Sequence, residues 1–209
     1  MMPVLNQILE NKIVAIIRGS RPADVLRIAE ALYAGGVRIL EITMNSPKPL
    51  AVIEEVADKF GDRMVVGAGT VLDPETARAA ILAGAKFILS PIVNAATIKM
   101  ARTYGVVNIP GAYTATEIVH AYREGGDIIK VFPATSPDYI KNILGPLPHI
   151  PLLPTGGVTL DNIKDFKKAG AVGFGIGSAL VDARKEVTAE YLIQLTERAQ
   201  KLVGAVTNP

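Results

Sequence analysis

Short apolar runs recur eight times along the chain, each bounded by polar or glycine-bearing residues. They are "KIVAIIR" (12–18), "VRILEIT" (37–43), "MVVGAGT" (64–70), "KFILSP" (86–91), "GVVNIPG" (105–111), "DIIKVFP" (127–133), "IPLLPTGG" (150–157) and "GFGIGSAL" (173–180). Their starts fall about 20 to 27 residues apart, the length of a strand, a loop, a helix and a second loop. Most are introduced by similar turns, "YAGGV", "LAGAK" and "KAGAV" among them, where glycine suits a helix C-cap that feeds the next strand.

Between the runs the period changes from two to that of a helix. "RPADVLRIAEALYAG" (21–35) places Val25, Ala29, Leu32 and Tyr33 at helical spacing. "NSPKPLAVIEEVADKFG" (45–61) opens with prolines, which a first turn accepts. "DPETARAAILAG" (73–84) begins with an Asp cap, and "TATEIVHAYREGG" (114–126) carries a Thr-x-x-Glu capping box. Strands apolar on both faces, alternating with amphipathic helices, predict a parallel sheet covered by helices. Eight such units predict an α/β fold of the (β/α)8 TIM-barrel type. It occupies 1–209 as a single domain, with a short N-terminal helix at 3–11 across its floor. No GxGxxG opening follows the first strand, which speaks against a doubly wound open sheet.

Composition narrows the functional classes. Of 209 residues, 49% are apolar and 20% charged, enough for a large core. The formal net charge is +2 with both signs interspersed, so nucleic acid is not expected as a partner. The absence of cysteine removes disulfides, thiolate metal sites and a cysteine nucleophile, and fits a cytoplasmic protein. "MMPVLNQILENK" lacks the build of a secretion signal, and no apolar stretch reaches the ~20 residues of a membrane span.

The candidate chemistry gathers at the strand ends. In barrels of this kind, sites form at the C-terminal ends of the strands. Alternate residues share a face, which groups Val14, Ile16 and Arg18; Ile39, Glu41 and Thr43; Val66, Ala68 and Thr70; Ile128, Lys130 and Phe132; and Leu153 with Thr155. Pointed inward, these sets bring Arg18, Glu41, Thr70, Lys130 and Thr155 to one pocket mouth. An isolated strand lysine is ordinarily a snorkelling residue or half of an ion pair. A buried lysine beside a second cation instead tends to lose its proton and becomes a nucleophilic amine suited to Schiff-base chemistry. Phe132 and Tyr113 read as wall, and Pro91 shapes the floor. His120 and His149 have no metal-ligand partner at useful spacing, so no metal site is expected.

"PTGGVTLDN" (154–162) and "GIGSAL" (175–180) follow strands seven and eight. Barrels frequently bind phosphate there, through backbone N–H groups and the N-terminus of a short helix. Glycine permits close approach, and Ser178 adds a hydroxyl donor.

Taken together and in order, "AIIRG" (15–19), "GGVRILEITMNSP" (35–47), "GAGTVL" (67–72), "ILSP" (88–91), "IPGAYTATE" (109–117), "IKVFPA" (129–134), "GPLP" (145–148), "PTGGV" (154–158) and "GIGSAL" (175–180) resemble the 2-keto-3-deoxy-6-phosphogluconate / 4-hydroxy-2-oxoglutarate aldolases over essentially the whole chain. The resemblance implies a class I aldolase with neither metal nor cofactor, assembled as a homotrimer and acting on a small keto-acid phosphate. It implies cleavage of 2-keto-3-deoxy-6-phosphogluconate to pyruvate and glyceraldehyde 3-phosphate, and also of 4-hydroxy-2-oxoglutarate to pyruvate and glyoxylate. Lys130 matches the family's Schiff-base lysine and Glu41 its general acid/base. Thr70, Pro91 and Thr155 match pyruvate-pocket positions, and Gly156, Gly157, Gly177 and Ser178 match phosphate-holding ones.

One departure stands out. Some members carry an arginine four residues after the glutamate, and this chain has Asn45; Arg18 then becomes the carboxylate clamp. "MNSP" also resembles the related 6-phosphogalactonate aldolases. The rival readings are that enzyme, another phosphate-binding barrel such as an isomerase or synthase, and a non-catalytic assembly scaffold built on the same backbone.

Overall fold

The first three strands, β1 (Ile13–Ile17), β2 (Ile39–Thr43) and β3 (Val65–Gly69), are buried at every position. That is what a strand requires when helices cover one face and other strands' side chains cover the other. The structure, a computed structural model, describes residues 3–207. The remaining runs form β4 (Phe87–Leu89), β5 (Val107–Ile109), β6 (Gly111–Ala112), β7 (Ile129–Val131), β8 (Leu152–Pro154) and β9 (Phe174–Ile176). The fifth run is divided into β5 and β6 by Pro110, which has no N–H to give to a ladder.

All pairings are parallel, in a six-stranded sheet ordered β5-β4-β3-β2-β1-β9 and a three-stranded sheet ordered β6-β7-β8. Hydrogen bonds join the two. The Lys130 N–H donates to the Pro110 carbonyl at 2.9 Å, the Val172 N–H donates to the Leu152 carbonyl at 3.0 Å, and Thr155 bridges Gly175.

Helices α1 (Pro3–Asn11), α2 (Pro22–Ala34), α3 (Pro49–Phe60), α4 (Pro74–Leu82), α5 (Ala95–Thr103), α6 (Ala115–Arg123), α7 (Pro137–Leu144), α8 (Ile163–Lys168) and α9 (Ala189–Thr207) alternate with the strands. The sequence-predicted caps are in place. Asp73 accepts from the Thr76 N–H at 2.7 Å, and Thr114 and Glu117 close a reciprocal capping box. One helix starts later than its pattern suggests: α3 begins at Pro49, because residues 44–48 form a turn in which the Ser46 N–H returns to the Thr43 carbonyl.

Apolar side chains fall into two clusters. The larger lies between strands and helices. The smaller gathers Val14, Ile39, Val65, Phe87, Val107, Ile128 and Leu153 from the other face of the strands, with Ile8 of α1 among them. The N-terminal helix therefore does cover this interior, as the sequence predicts. Among the described residues, no helix is long and apolar enough to cross a membrane.

Candidate active site

Moving two residues along each strand from that smaller cluster keeps the same face and changes the chemistry. Ile39 is followed by Glu41, Ile128 by Lys130 and Leu153 by Thr155. The register supports this layer, with Glu41 opposite Ile16 and Gly67, and Lys130 opposite Gly111 and Leu153. β2 and β7 belong to different sheets, so Glu41 and Lys130 reach the interior from separate sides.

Both are almost sealed from water, Glu41 at 0% and Lys130 at 1% exposure. Among the described residues, neither carboxyl oxygen of Glu41 has a hydrogen-bond partner. Burial pushes the Glu41 carboxyl above its ordinary range, against the opposing pull of Lys130 and Arg18. Burial likewise pushes the Lys130 amine down; the Glu41 charge opposes this and the Arg18 charge adds to it. Each group is thus driven toward its uncharged form, because removing either charge from water outweighs what the partner returns. The Lys130 Nζ lies 4.9 Å from the centre of the Phe132 ring, an apolar lid that adds to the desolvation.

Two glycines make room for these side chains. A Cβ on Gly69 would sit 1.7 Å from Glu41 Oε1, and one on Gly175 would sit 2.2 Å from Thr155 Oγ1. No other residue fits at either place without moving the functional group. Thr155 itself is buried, and its hydroxyl is without a partner among the described residues.

Above this pair a cavity of about 600 Å³ opens, lined by Arg18, Phe132, Thr155, Gly156, Gly157, Gly177 and Ser178 among others. Seven of the sequence-predicted residues thus share one wall, with Glu41 and Lys130 electrostatically coupled to its Arg18. Arg18 stands exposed at the end of β1. The next residue ties the loop down: the Gly19 N–H donates to Ser46 Oγ at 2.9 Å, and Ser46 pairs with Thr43 Oγ1 at 2.9 Å. Ser46 lies in the "MNSP" turn, where Asn45 is exposed.

Glu41 and Lys130, sealed among the strands, and Thr70 and Pro91 are outside the residues that line this cavity, so the expected single pocket mouth holds only Arg18 and Thr155 of its five members. The predicted inward set Val66, Ala68 and Thr70 needs correction. Val66 and Ala68 pack in the cluster beneath the helices. The inward positions of β3 are Val65, Gly67 and Gly69; a Cβ on Gly67 would meet the Phe87 ring at 2.4 Å. Thr70 follows with φ of +57°, which breaks the alternation. Pro91 is half-buried, and its carbonyl backs onto Gly111, the register partner of Lys130.

The loop after β9 also differs from expectation. The Leu180 and Val181 N–H groups return to the Gly177 carbonyl as a single turn, and among the described residues no helix begins between β9 and α9. His120 and His149 lie away from the cavity, His120 beside Glu124 at 3.8 Å and His149 edge-on to Tyr122.

A parallel α/β fold with a desolvated lysine and a desolvated carboxylic acid beneath a glycine-walled cavity fits the aldolase class. Comparison with known proteins supplies the family. The family model described as "Aldolase: KDPG and KHG aldolase" matches residues 4–195, and the chain belongs to that family. It is similar to the 2-dehydro-3-deoxy-phosphogluconate aldolase of Pseudomonas aeruginosa, at 40% identity over 75% of this chain and 72% of that one. It is similar as well to the 2-dehydro-3-deoxy-6-phosphogalactonate aldolase of Escherichia coli K12, at 36% identity over 84% of this chain and 87% of that one. Among solved structures it resembles a KDPG aldolase from Legionella pneumophila with pyruvate captured as a covalent carbinolamine. That likeness has a TM-score of 0.84 and 25% identity, and covers 95% of this chain and 97% of that one.

Proposed function

We propose that this aldolase cleaves 2-keto-3-deoxy-6-phosphogluconate to pyruvate and glyceraldehyde 3-phosphate through an imine on Lys130, within one closed (β/α)8 barrel that forms a single domain. The observation that carries the proposal is the buried Lys130–Glu41 pair, both members driven toward neutrality under an anion-accepting cavity. The hydrogen bonds from Lys130 and Val172, with the Thr155–Gly175 bridge, support closure of the two sheets into one barrel.

The neutral Lys130 amine adds to the C2 carbonyl of the keto acid. Glu41, starting as the acid, gives its proton to the carbinolamine hydroxyl, which leaves as water. The resulting protonated imine is the electron sink for breaking C3–C4. Glu41, now a carboxylate, takes the C4 hydroxyl proton, directly or through one water, as glyceraldehyde 3-phosphate departs. The same proton returns to C3 of the enamine, and hydrolysis releases pyruvate and restores the amine.

Arg18, Thr155 and, from the β3 end, Thr70 hold the carboxylate, with Phe132 and Pro91 as walls. Gly156, Gly157, Gly177 and Ser178 hold the phosphate. Anchoring the far end lets remote binding energy position the scissile bond. Imine formation uses only the keto-acid end, so 4-hydroxy-2-oxoglutarate is a further substrate, one that forgoes the phosphate anchor.

Borohydride reduction in the presence of pyruvate tests the imine: a covalent adduct on Lys130 is expected, and an unlabelled Lys130 defeats the mechanism. A 6-phosphogalactonate substrate is favoured by the "MNSP" turn around Asn45 and by the Escherichia coli relative. The two sugars differ at C4, so parallel assays on both decide between them. The homotrimer rests on the family resemblance and is checked by light scattering.

A further inference from the structure

The two glycine loops offer a phosphate only neutral donors. Gly156, Gly157, Gly177 and Ser178 bring N–H dipoles and one hydroxyl. The turn after Gly177 does not continue into a helix, and α8, downstream of Gly157, is six residues long. A phosphate monoester near neutral pH carries close to two negative charges. A cationic side chain at that end would add the charge compensation that neutral donors lack.

Two cations line the cavity, Arg18 and Arg184. Arg18 stands two residues beyond Ile16, the register partner of Glu41, and so at the imine end. Arg184 belongs to the same loop as Gly177 and Ser178. Its Nε and Nη2 donate to the two carboxylate oxygens of Asp182 at 2.9 and 3.0 Å, and its own N–H donates to Asp182 at 3.1 Å. Asp182 is only 15% exposed and its N–H donates to Tyr191 Oη, whereas the Arg184 side chain is 87% exposed. Asp182 is anchored through Tyr191, while the bidentate Arg184 guanidinium stands in solvent, where an arriving phosphate can compete for it.

We propose that Arg184 is the charged contact for the phosphate end of the substrate, kept beside the cavity and partly neutralised by Asp182 until a phosphorylated aldehyde arrives. It is the residue that discriminates phosphorylated from unphosphorylated acceptors. The inference rests on the assignment of the glycine loops to phosphate. Asp182 tempers the site: it lowers affinity for any anion, and the doubly charged phosphate competes with it best.

The test compares condensation of pyruvate with glyceraldehyde 3-phosphate and with glyoxylate, using the full chain and its Arg184→Ala, Arg184→Lys and Asp182→Asn variants. Arg184→Ala is expected to lower the glyceraldehyde 3-phosphate to glyoxylate ratio of kcat/KM by about tenfold, through KM, in line with loss of a charge-assisted hydrogen bond. Arg184→Lys recovers part of the ratio, and Asp182→Asn moves it the opposite way by a few-fold. A ratio unchanged in Arg184→Ala, or a fall shared equally by both acceptors, overturns the proposal. Titration with inorganic phosphate reads the same site without catalysis: weaker binding is expected in Arg184→Ala and tighter binding in Asp182→Asn, and equal affinities in all variants count against the inference. Labelling of Lys130 by pyruvate and borohydride is scored separately, so failure of the imine and failure of the Arg184 contact are told apart.

Discussion

Two layers of one interior, built by the same strands two residues apart, do opposite things. The lower layer, with Ile39, Phe87, Ile128 and Leu153, is hydrocarbon throughout. The upper layer replaces three of its positions with Glu41, Lys130 and Thr155, whose polar atoms are just as deeply buried. The lower layer contributes stability by removing apolar area from water. It also denies solvent to the groups above it, so the Lys130 amine and Glu41 carboxyl meet a low dielectric from beneath and cannot remain charged at little cost. Reactivity in the upper layer is a property of the floor as much as of the two residues.

The sharpest way to break this contrast is to make the upper layer resemble the lower. Lys130→Met keeps the side-chain length and removes the amine. Turnover should fall by at least about 10⁴-fold, read from pyruvate release. Stability should hold or rise, because an apolar isostere relieves the buried amine. The pH dependence follows from the depressed Lys130 pKa. Below the ordinary lysine value of 10.5 the unfolded chain binds a proton that the folded one resists, so the native protein carries a penalty that the variant lacks. The stability advantage of Lys130→Met should therefore shrink as pH rises toward that value, measured by denaturant titration. Activity should decline on acidification for the same reason, as protonation removes the nucleophile.

Glu41→Gln should slow turnover by about 10²- to 10⁴-fold while pyruvate and borohydride still label Lys130 in part, since dehydration of the carbinolamine also loses its acid. Labelling at the full wild-type rate would confine Glu41 to C–C cleavage and remove it from imine formation. In the lower layer, Phe87→Ala should cost about 3–5 kcal/mol of stability by chemical denaturation, with the folded fraction retaining imine chemistry. At the small end, Ile8→Val should cost about 1 kcal/mol and leave turnover near wild type. A larger activity loss there would mean that the floor governs the site through geometry as well as dielectric.

Much of this was legible in the chain. The strands announced themselves as doubly apolar runs, and the caps at Asp73 and Thr114 as residue types with one physical task. Lys130 and Glu41 stood out because a charge in such a run has to be explained. The face assigned to β3 was wrong for an equally physical reason. In "MVVGAGT" the apolar side chains Val66 and Ala68 point toward the helices, while the inward places belong to Gly67 and Gly69. Glycine shows no side chain by which alternation can be read. Its absence of a Cβ is what admits Phe87 and Glu41, a tertiary demand no local pattern displays. Gly175, which opens the "GIGSAL" phosphate motif, likewise admits Thr155, a second demand that the motif does not display. The missing helix after β9 and the Asp182–Arg184 pair lie in a loop without periodicity, where only the folded chain decides what meets what.

The placement of α1 carries a consequence for how the chain comes together. Ile8 precedes Ile128 and Leu153 by more than a hundred residues, yet it shares a cluster with them. The plug must wait for those strands before its socket exists. Seating it is a late, long-range closure of the kind that slows acquisition of the native state, and a nascent chain halted before Leu153 would leave that helix without its seat.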